Sequence, residues 1–230
     1  MILFQSILFW LIFILFTIIL SPLLIILRPF SYNFALSIAK IWANIIIISA
    51  RRICGLNYRL SGATNLKNSN SIIFSKHQSA WETIFFLKLI EKPIFIVKRE
   101  LTYIPLFGWC LYLLNNISIN RKSGKTAMKK MITESEELMR KGFRIIIFPQ
   151  GTRVGFNCKT EIKKGGLVMV KSLNLSIIPI KHNAGKFWGK SSFLINPGII
   201  NIVIGSPMVT DNISSGVLKS QIELWMDDLV

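Results

Sequence analysis

A histidine and a glutamate five residues apart, His77 and Glu82, are the first residues in the sequence whose types and spacing could do chemistry. Histidine changes charge near neutral pH, and a carboxylate close to it can orient the ring and stabilise its charged form. A second segment, Phe148-Pro-Gln-Gly-Thr-Arg153, is typical of a turn that follows a strand and carries a guanidinium. Together the two segments predict a site that removes a proton from a hydroxyl group while it binds an anion.

Glu82 has a second interpretation, because Ser79-x-x-Glu82 also fits a capping box. In that motif the glutamate carboxylate accepts a hydrogen bond from a backbone amide at the start of a helix. The sequence leaves both roles open for Glu82, as a helix cap or as the group that orients His77.

Several cationic residues follow predicted strands in the same way. Gly151 lets backbone approach a ligand closely, and Arg153 can bind phosphate in a bidentate manner. Lys98 and Arg99 follow one further strand and Arg121 follows another. Each could be an ordinary solvated charge, but at one edge of one sheet they would form an anion-binding pocket.

Motifs missing from the sequence narrow the reaction. It contains no G-x-S-x-G nucleophile motif, and it has neither a G-x-x-x-x-G-K-[ST] loop nor a G-x-G-x-x-G loop. A base without an enzyme nucleophile indicates that the substrate brings its own hydroxyl, as in acyl transfer to an alcohol.

Short β-rich runs alternate with segments of helical periodicity after residue 52. This alternation predicts an α/β domain with a mixed, mostly parallel sheet flanked by helices, and ligands of such sheets bind beyond the carboxyl ends of the strands. The predicted strands are Ser71–Ser75, Ile94–Lys98, Asn116–Ile119, Phe143–Phe148, Ser176–Lys181, Phe193–Ile195 and Asn201–Ile204. The predicted helices are Ser79–Glu91, Lys125–Lys141 with Gly142 at its end, and Ser214–Leu229.

The N-terminal segment predicts a membrane anchor. Met1–Leu27 contains no charged residue and exceeds the roughly 20 apolar residues needed to cross a bilayer. A cleaved signal peptide is the alternative, but the basic residues that should precede its apolar run are absent. A second apolar stretch, Phe30–Ala50, follows. We therefore divide the chain into anchoring helices at residues 1–52 and an α/β acyltransferase domain at residues 53–230.

The basic residues near this anchor follow the first apolar run, which places the body of the protein on the cytoplasmic side of the inner membrane. The formal net charge of +17 and the pI of about 10.1 require an anionic partner. An anionic membrane is favoured over nucleic acid, because the sequence has no nucleic-acid-binding motif. The three cysteines and two histidines are scattered, so neither a disulfide framework nor a metal site is expected.

In their order, these segments resemble the 1-acylglycerol-3-phosphate acyltransferase family, also called lysophosphatidic acid acyltransferases. The family pattern is His-x4-Asp, a Lys-Glu-Leu-x-x-x-Pro block ending in Asp-Arg, then Phe-Pro-Glu-Gly-Thr-Arg and a proline-bearing strand. The stretch from Lys76 to Gly185 follows that order throughout. Three positions differ from the pattern: Glu82 replaces Asp, Gln150 replaces Glu, and Asn120 replaces the Asp beside Arg121.

The resemblance implies an activity. His77, oriented by Glu82, would take the proton from the sn-2 hydroxyl of lysophosphatidic acid as it attacks the thioester of acyl-CoA or an acyl carrier protein, giving phosphatidic acid. The family pattern implies phosphate binding by Lys98, Arg99, Arg121, Gly151, Thr152 and Arg153, with no cofactor and no metal. Turn amides near Gly151 could stabilise the oxyanion. His182 is expected to be structural.

Other functions remain compatible with the sequence. The acceptor could instead be glycerol-3-phosphate, a lyso-ornithine lipid or another lysophospholipid, since any acceptor with a hydroxyl and an anionic headgroup suits the same residues. The protein could also be a non-catalytic binder of anionic membranes or, more remotely, a membrane-tethered nucleic-acid binder.

Overall fold

The computed structural model describes residues 1–67 and 70–228. Its α-helices are α1 (Ile2–Leu27), α2 (Tyr32–Cys54), α3 (Trp81–Leu89), α4 (Phe107–Leu113), α5 (Gly124–Arg140), α6 (Lys164–Ser172), α7 (Ala184–Phe187) and α8 (Ser215–Asp227). Its strands are β1 (Leu56–Ser61), β2 (Ser71–Ser75), β3 (Pro93–Lys98), β4 (Ile117–Ile119), β5 (Arg144–Ile147), β6 (Ser176–His182) and β7 (Gly198–Ile204). Short 3-10 turns occupy Ala63–Lys67, Arg99–Tyr103 and Arg121–Ser123.

The strands form one mixed, mostly parallel sheet, as the sequence predicted, and their order in it is β1-β7-β6-β2-β5-β3-β4. In its centre Ile73 lies opposite Ile146 on one side and Ile178 on the other, in parallel register. The pairing of β6 with β7 is antiparallel. Because β2 to β6 all run in the same direction, their carboxyl ends lie at one edge of the sheet, which we call the carboxyl edge.

Helices cover both faces of this sheet. Successive side chains of a strand point to opposite faces, and all five residues of β2 are buried. Ile73 packs into the hydrophobic cluster that contains residues of α2 and α3. Its neighbours Ile72 and Phe74 pack into a second cluster with residues of α5, α6 and α8. A strand buried on both sides explains why the sequence of β2 is an unbroken apolar run between two serines.

The two N-terminal helices form a hairpin with defined ends. The Ser31 hydroxyl accepts a hydrogen bond from the Phe34 amide at the start of α2, and Gly55 ends α2 with a φ of +66°. Arg51 and Arg52 lie in the last turn of α2, where positive charges interact favourably with the helix dipole. Both α1 and α2 are long and apolar enough to cross a membrane.

Helix α1 contacts the rest of the protein near both of its ends. Near its start, the indole nitrogen of Trp10 donates a hydrogen bond to the Phe193 carbonyl at 2.8 Å. At its end, the Arg28 guanidinium donates to the Leu113 carbonyl at 2.6 Å. Helix α1 therefore lies across the α/β domain and does not project away from it. Its outer face leaves many apolar side chains exposed, including Leu3, Phe4, Ile7, Leu11, Ile14, Ile18, Leu23 and Ile26.

The hairpin and the sheet share a core. Phe9 of α1 and Ile46 of α2 belong to the same buried cluster as Ile73 of β2 and Phe85 of α3. The division between residues 52 and 53 stays a prediction, and the packing joins the two segments on either side of it.

Most predicted elements are confirmed within one or two residues. The strand predicted at Phe193–Ile195 is wrong: this segment is a loop, and the Ile195 amide donates to the Ser6 hydroxyl at 3.0 Å instead of to a neighbouring strand. β1, α4, α6 and α7 were not predicted from the sequence. The last helix ends at Asp227, and Leu229 lies outside the described residues.

Because α1 shares the core, we expect Phe9→Ala to destabilise the whole domain. Phe9 is fully buried and its ring lies 5.3 Å from that of Trp188, so removing it leaves a cavity that costs about 3–5 kcal/mol. Phe4→Ala is the matched control, since Phe4 is 71% exposed on the same helix. Chemical unfolding of the detergent-solubilised protein measures both. Equal stability of the two variants would contradict a shared core.

Candidate active site

His77 and Glu82 are in direct contact at the carboxyl edge. Nδ1 of His77 lies 2.9 Å from Oε1 of Glu82, whose side chain is completely buried. His77 lies in the loop between β2 and α3, and its side chain is 17% exposed. The short path from a strand end to a helix start places both side chains together, because Glu82 is in the first turn of α3.

Glu82 combines the two roles that the sequence left open. Its Oε1 atom also accepts hydrogen bonds from the backbone amides of Gln78 and Ser79, each at 2.9 Å. Burial raises the pKa of Glu82, but the hydrogen bond from His77, the electrostatic influence of the neighbouring imidazole rings and the hydrogen bond from the Ser79 amide together outweigh burial and lower the pKa. Glu82 is therefore a carboxylate, Nδ1 of His77 is the donor in their contact, and Nε2 is left as the basic nitrogen of the ring.

The backbone and ring of His77 are held by the second motif. The His77 amide donates to Oε1 of Gln150 at 2.7 Å, and the His77 carbonyl accepts from the Val154 amide at 2.8 Å. The Phe148 ring stacks on the imidazole with centroids 4.0 Å apart. Gln150 thus keeps a hydrogen-bond acceptor at a position where the resemblance led us to expect a glutamate.

His182 lies behind this pair and is fully occupied by backbone contacts. Its Nε2 atom donates to the Lys76 carbonyl at 3.0 Å, and its Nδ1 atom accepts from the Ala184 amide at 3.3 Å. Burial lowers the pKa of His182, which favours this neutral form, although the Glu82 charge acts in the opposite direction. These contacts support the prediction that His182 is structural.

An apolar cavity of about 530 Å³ opens beside His77. This volume is within the usual range for pockets that hold small organic ligands. The cavity runs between α3, α4 and α5, and it reaches the N-terminal hairpin. Its apolar lining includes Phe13, Leu36, Trp42, Ile84, Leu87, Phe95, Phe107, Leu111, Leu114, Met128 and Met131.

Four of the six predicted phosphate-binding residues line this cavity: Lys98, Arg121, Gly151 and Arg153. Arg99 and Thr152 are exposed and are not part of its lining. The strands β3, β4 and β5 position the cations at the carboxyl edge: Lys98 is the last residue of β3, and Arg121 and Arg153 follow the ends of β4 and β5. Lys98 also pairs with Glu100 at 3.4 Å, which offsets part of its charge.

Gly151 forms the tight turn that the motif predicted. Its φ is +74°, a conformation that glycine adopts readily, and its carbonyl accepts a hydrogen bond from Arg121. The Gly151 amide donates to the Phe148 carbonyl at 2.9 Å, which closes the turn. This amide is therefore not available for the oxyanion role that the sequence analysis assigned to the turn.

The sequence analysis missed one cation at the cavity, Lys163. It precedes α6, and its Nζ atom lies 3.4 Å from the position that a Cβ atom on Gly151 would occupy. The lysine-glycine run 163–166 carries little helical periodicity, and this explains why it was overlooked. Within residues 1–67 and 70–228, no group of three or more His, Cys, Asp or Glu side chains could hold a metal ion.

Comparisons with known proteins agree with this arrangement. The sequence model of the Acyltransferase family matches residues 57–183, more than half of the chain. A protein of Pseudomonas aeruginosa named 1-acyl-sn-glycerol-3-phosphate acyltransferase is 35% identical over 81% of this chain and 74% of its own length. A chloroplastic protein of Arabidopsis thaliana with the same activity in its name is 27% identical, and the match spans about half of that protein, 52%.

The fold also occurs in a solved structure. The crystal structure of the 1-acyl-sn-glycerophosphate acyltransferase of Thermotoga maritima superimposes with a TM-score of 0.80, covering 98% of this chain and 92% of the other at 19% identity. The sheet and its flanking helices have the fold of that solved acyltransferase. This chain belongs to the Acyltransferase family, which confirms the resemblance found in its sequence.

The double role of Glu82 leads to a prediction for Glu82→Gln. The glutamine amide oxygen can still accept from the backbone amides, so the protein should fold. The negative charge that stabilises the imidazolium is lost, and we expect kcat to fall by at least about a hundredfold, as for loss of general base catalysis. Circular dichroism and acyl transfer kinetics test the two effects separately. A folded variant with full activity would leave Glu82 with its capping role alone.

Proposed function

We propose that this protein transfers an acyl chain from acyl-CoA or acyl carrier protein to the sn-2 hydroxyl of lysophosphatidic acid, giving phosphatidic acid. One observation carries the proposal: His77, in contact with the buried Glu82 carboxylate, lines an apolar cavity that is also lined by several cations. The names of the relatives from Pseudomonas aeruginosa and Arabidopsis thaliana support the same reaction.

In the proposed reaction His77 is the general base. Its Nε2 atom takes the proton from the acceptor hydroxyl while the oxygen of that hydroxyl attacks the thioester carbonyl carbon. The tetrahedral intermediate then collapses, the carbon–sulfur bond breaks, and the imidazolium returns its proton to the departing thiolate. The Glu82 carboxylate stabilises the imidazolium between these two steps, because it lies 2.9 Å from Nδ1.

The apolar cavity is the proposed binding site of an acyl chain. Each methylene that leaves water for an apolar environment contributes about 0.8 kcal/mol, so a cavity lined by α2, α3, α4 and α5 can supply much of the affinity for a long chain. The polar edge of the cavity, with His77 and the cations, would then hold the reacting groups.

The cations are the proposed binding site of the acceptor phosphate. Arg121 and Arg153 line the cavity near Gly151, and a guanidinium binds phosphate through two parallel hydrogen bonds. Lys98 lies at the same edge. Arg99 and Thr152 are exposed beside these residues, so we assign them to the more distant part of an acceptor headgroup.

The membrane is the proposed source of the acceptor. The exposed apolar face of α1 and the net charge of +17 both favour attachment to an anionic lipid surface. We assign the protein to the cytoplasmic face of the inner membrane because of the basic residues that follow the first helix. Nucleic acid has no part in this proposal.

The decisive experiment measures acyl transfer by the purified protein in mixed micelles. Lysophosphatidic acid, glycerol-3-phosphate, a lyso-ornithine lipid and lysophosphatidylglycerol serve as acceptors, each with acyl-CoA and with acyl carrier protein as donor. We expect lysophosphatidic acid to have the highest kcat/KM. His77→Ala should lower kcat by about a hundredfold to ten-thousandfold because the base is lost. Transfer that is unchanged in His77→Ala, or absent in the native protein, would refute the proposed function.

Acyl chain length provides a separate test of the cavity. Leu87 lies on α3 about 7.5 Å beyond Glu82 along the helix axis, and it lines the cavity. We expect Leu87→Trp to favour shorter donors, with kcat/KM falling about fourfold for each methylene that no longer fits. Lys88→Trp is the control, since Lys88 is not part of the lining. A series of donors of increasing chain length measures this, and an unchanged preference would place the chain elsewhere.

A further inference from the structure

Lys163 contacts the turn that carries the second motif, at two points. Its side chain lies across Gly151, with Cδ 3.2 Å and Nζ 3.4 Å from the position of a Cβ atom on that glycine. Its backbone amide donates to the Pro149 carbonyl at 3.0 Å. Lys163 also lines the cavity together with His77. Any side chain on Gly151 would therefore meet the lysine, and the glycine leaves space for it.

The last helix fixes the loop that carries Lys163. Asp227 of α8 accepts hydrogen bonds from the amide of Thr160 at 3.0 Å and from its hydroxyl at 2.5 Å. Glu223, also on α8, accepts from the Ile162 amide at 2.7 Å. The same Asp227 pairs with Lys76, the residue before His77, at 3.2 Å. Asp227 thus connects the loop that carries Lys163 to Lys76, the residue before His77.

The charge of Lys163 is not neutralised by the described protein. In residues 1–67 and 70–228, no Asp or Glu oxygen lies within 4.0 Å of the cationic groups of Lys163, Arg121 or Arg153, whereas Lys98 has Glu100. The Nε atom of Arg153 is buried and lacks a hydrogen-bond partner in this part of the chain. Three cations near one glycine, none of them in a described ion pair, suit a ligand that carries more than one negative charge.

We propose that Lys163 completes the headgroup site with Arg121 and Arg153 and selects acceptors that carry a phosphate monoester. This inference rests on the proposed function and adds a specificity-determining residue to it. A phosphate monoester carries a charge of about −1.5 to −2 at pH 7, whereas a phosphodiester carries a single charge. A third cation therefore favours lysophosphatidic acid over lysophospholipids whose phosphate is esterified twice.

Adjacent lysines provide a matched pair of variants. Lys163 and Lys164 are both exposed and carry the same charge, but Lys164 does not line the cavity. We expect Lys163→Gln to raise KM for lysophosphatidic acid about ten- to a hundredfold with kcat little changed, as for loss of a hydrogen bond to a charged group. For lysophosphatidylglycerol the change should be much smaller. Lys164→Gln should behave as the native protein, and Lys163→Arg should recover most of the affinity, because lysine binds phosphate as a point charge.

A binding measurement separates this inference from the proposed function. We expect glycerol-3-phosphate, a phosphate monoester, to raise the Tm of the native protein, because a ligand stabilises the folded state by an amount that grows with the logarithm of its concentration relative to Kd, and no turnover is needed. Stabilisation that is lost in Lys163→Gln and kept in Lys164→Gln supports the role of Lys163, even if the native protein transfers no acyl group. Two results would overturn the role of Lys163 and leave the acyltransferase proposal intact. One is an active Lys163→Gln variant whose KM for lysophosphatidic acid equals that of the native protein. The other is a Lys163→Gln variant whose KM rises equally for lysophosphatidic acid and lysophosphatidylglycerol.

Discussion

The contact between the buried Glu82 carboxylate and His77 is the constraint on which the rest of the site depends. A buried carboxylate is costly unless several donors satisfy it, and here one oxygen accepts from the imidazole and from two backbone amides. Those amides belong to the loop between β2 and α3, so the backbone that carries His77 also stabilises the group that orients it. The start of α3 contributes further, since a helix N-terminus favours negative charge. Folding of this loop therefore also sets the orientation of His77 relative to Glu82.

This constraint explains why the second motif must follow a neighbouring strand. β2 and β5 are parallel partners, so their carboxyl ends lie side by side. Phe148 can then stack on the imidazole while Gln150 binds the His77 amide. The replacement of the expected glutamate by Gln150 is compatible with that contact, because an amide oxygen accepts as a carboxylate does.

Local sequence carried most of the information about the centre of the sheet. β2 and β5 are largely apolar runs buried on both faces, and the positions of their ends in the sequence predicted that His77 and Arg153 lie at one edge of the sheet. β1 was not predicted, although Leu56–Ser61 alternate between apolar and polar residues as a half-buried strand does, and its pairing partner is the distant strand β7. Phe193–Ile195 has the composition of a strand, but its backbone binds to α1. For this second segment a distant contact decided the structure, and a single sequence does not record such a contact.

The same reasoning applies to the site. His77 and Glu82 are close in sequence, so their contact was predictable, whereas the position of Lys163 depends on Glu223 and Asp227 some sixty residues further on. For the N-terminal hairpin, the sequence predicts the helices but not their packing against the α/β domain. Its hydropathy predicts membrane-anchoring helices, and the packing adds that Phe9 is buried against Trp188 in the domain core while both ends of α1 contact the α/β domain. A helix held at both ends by one domain cannot move independently of that domain, and residues of α1 and α2 help to line the cavity beside His77.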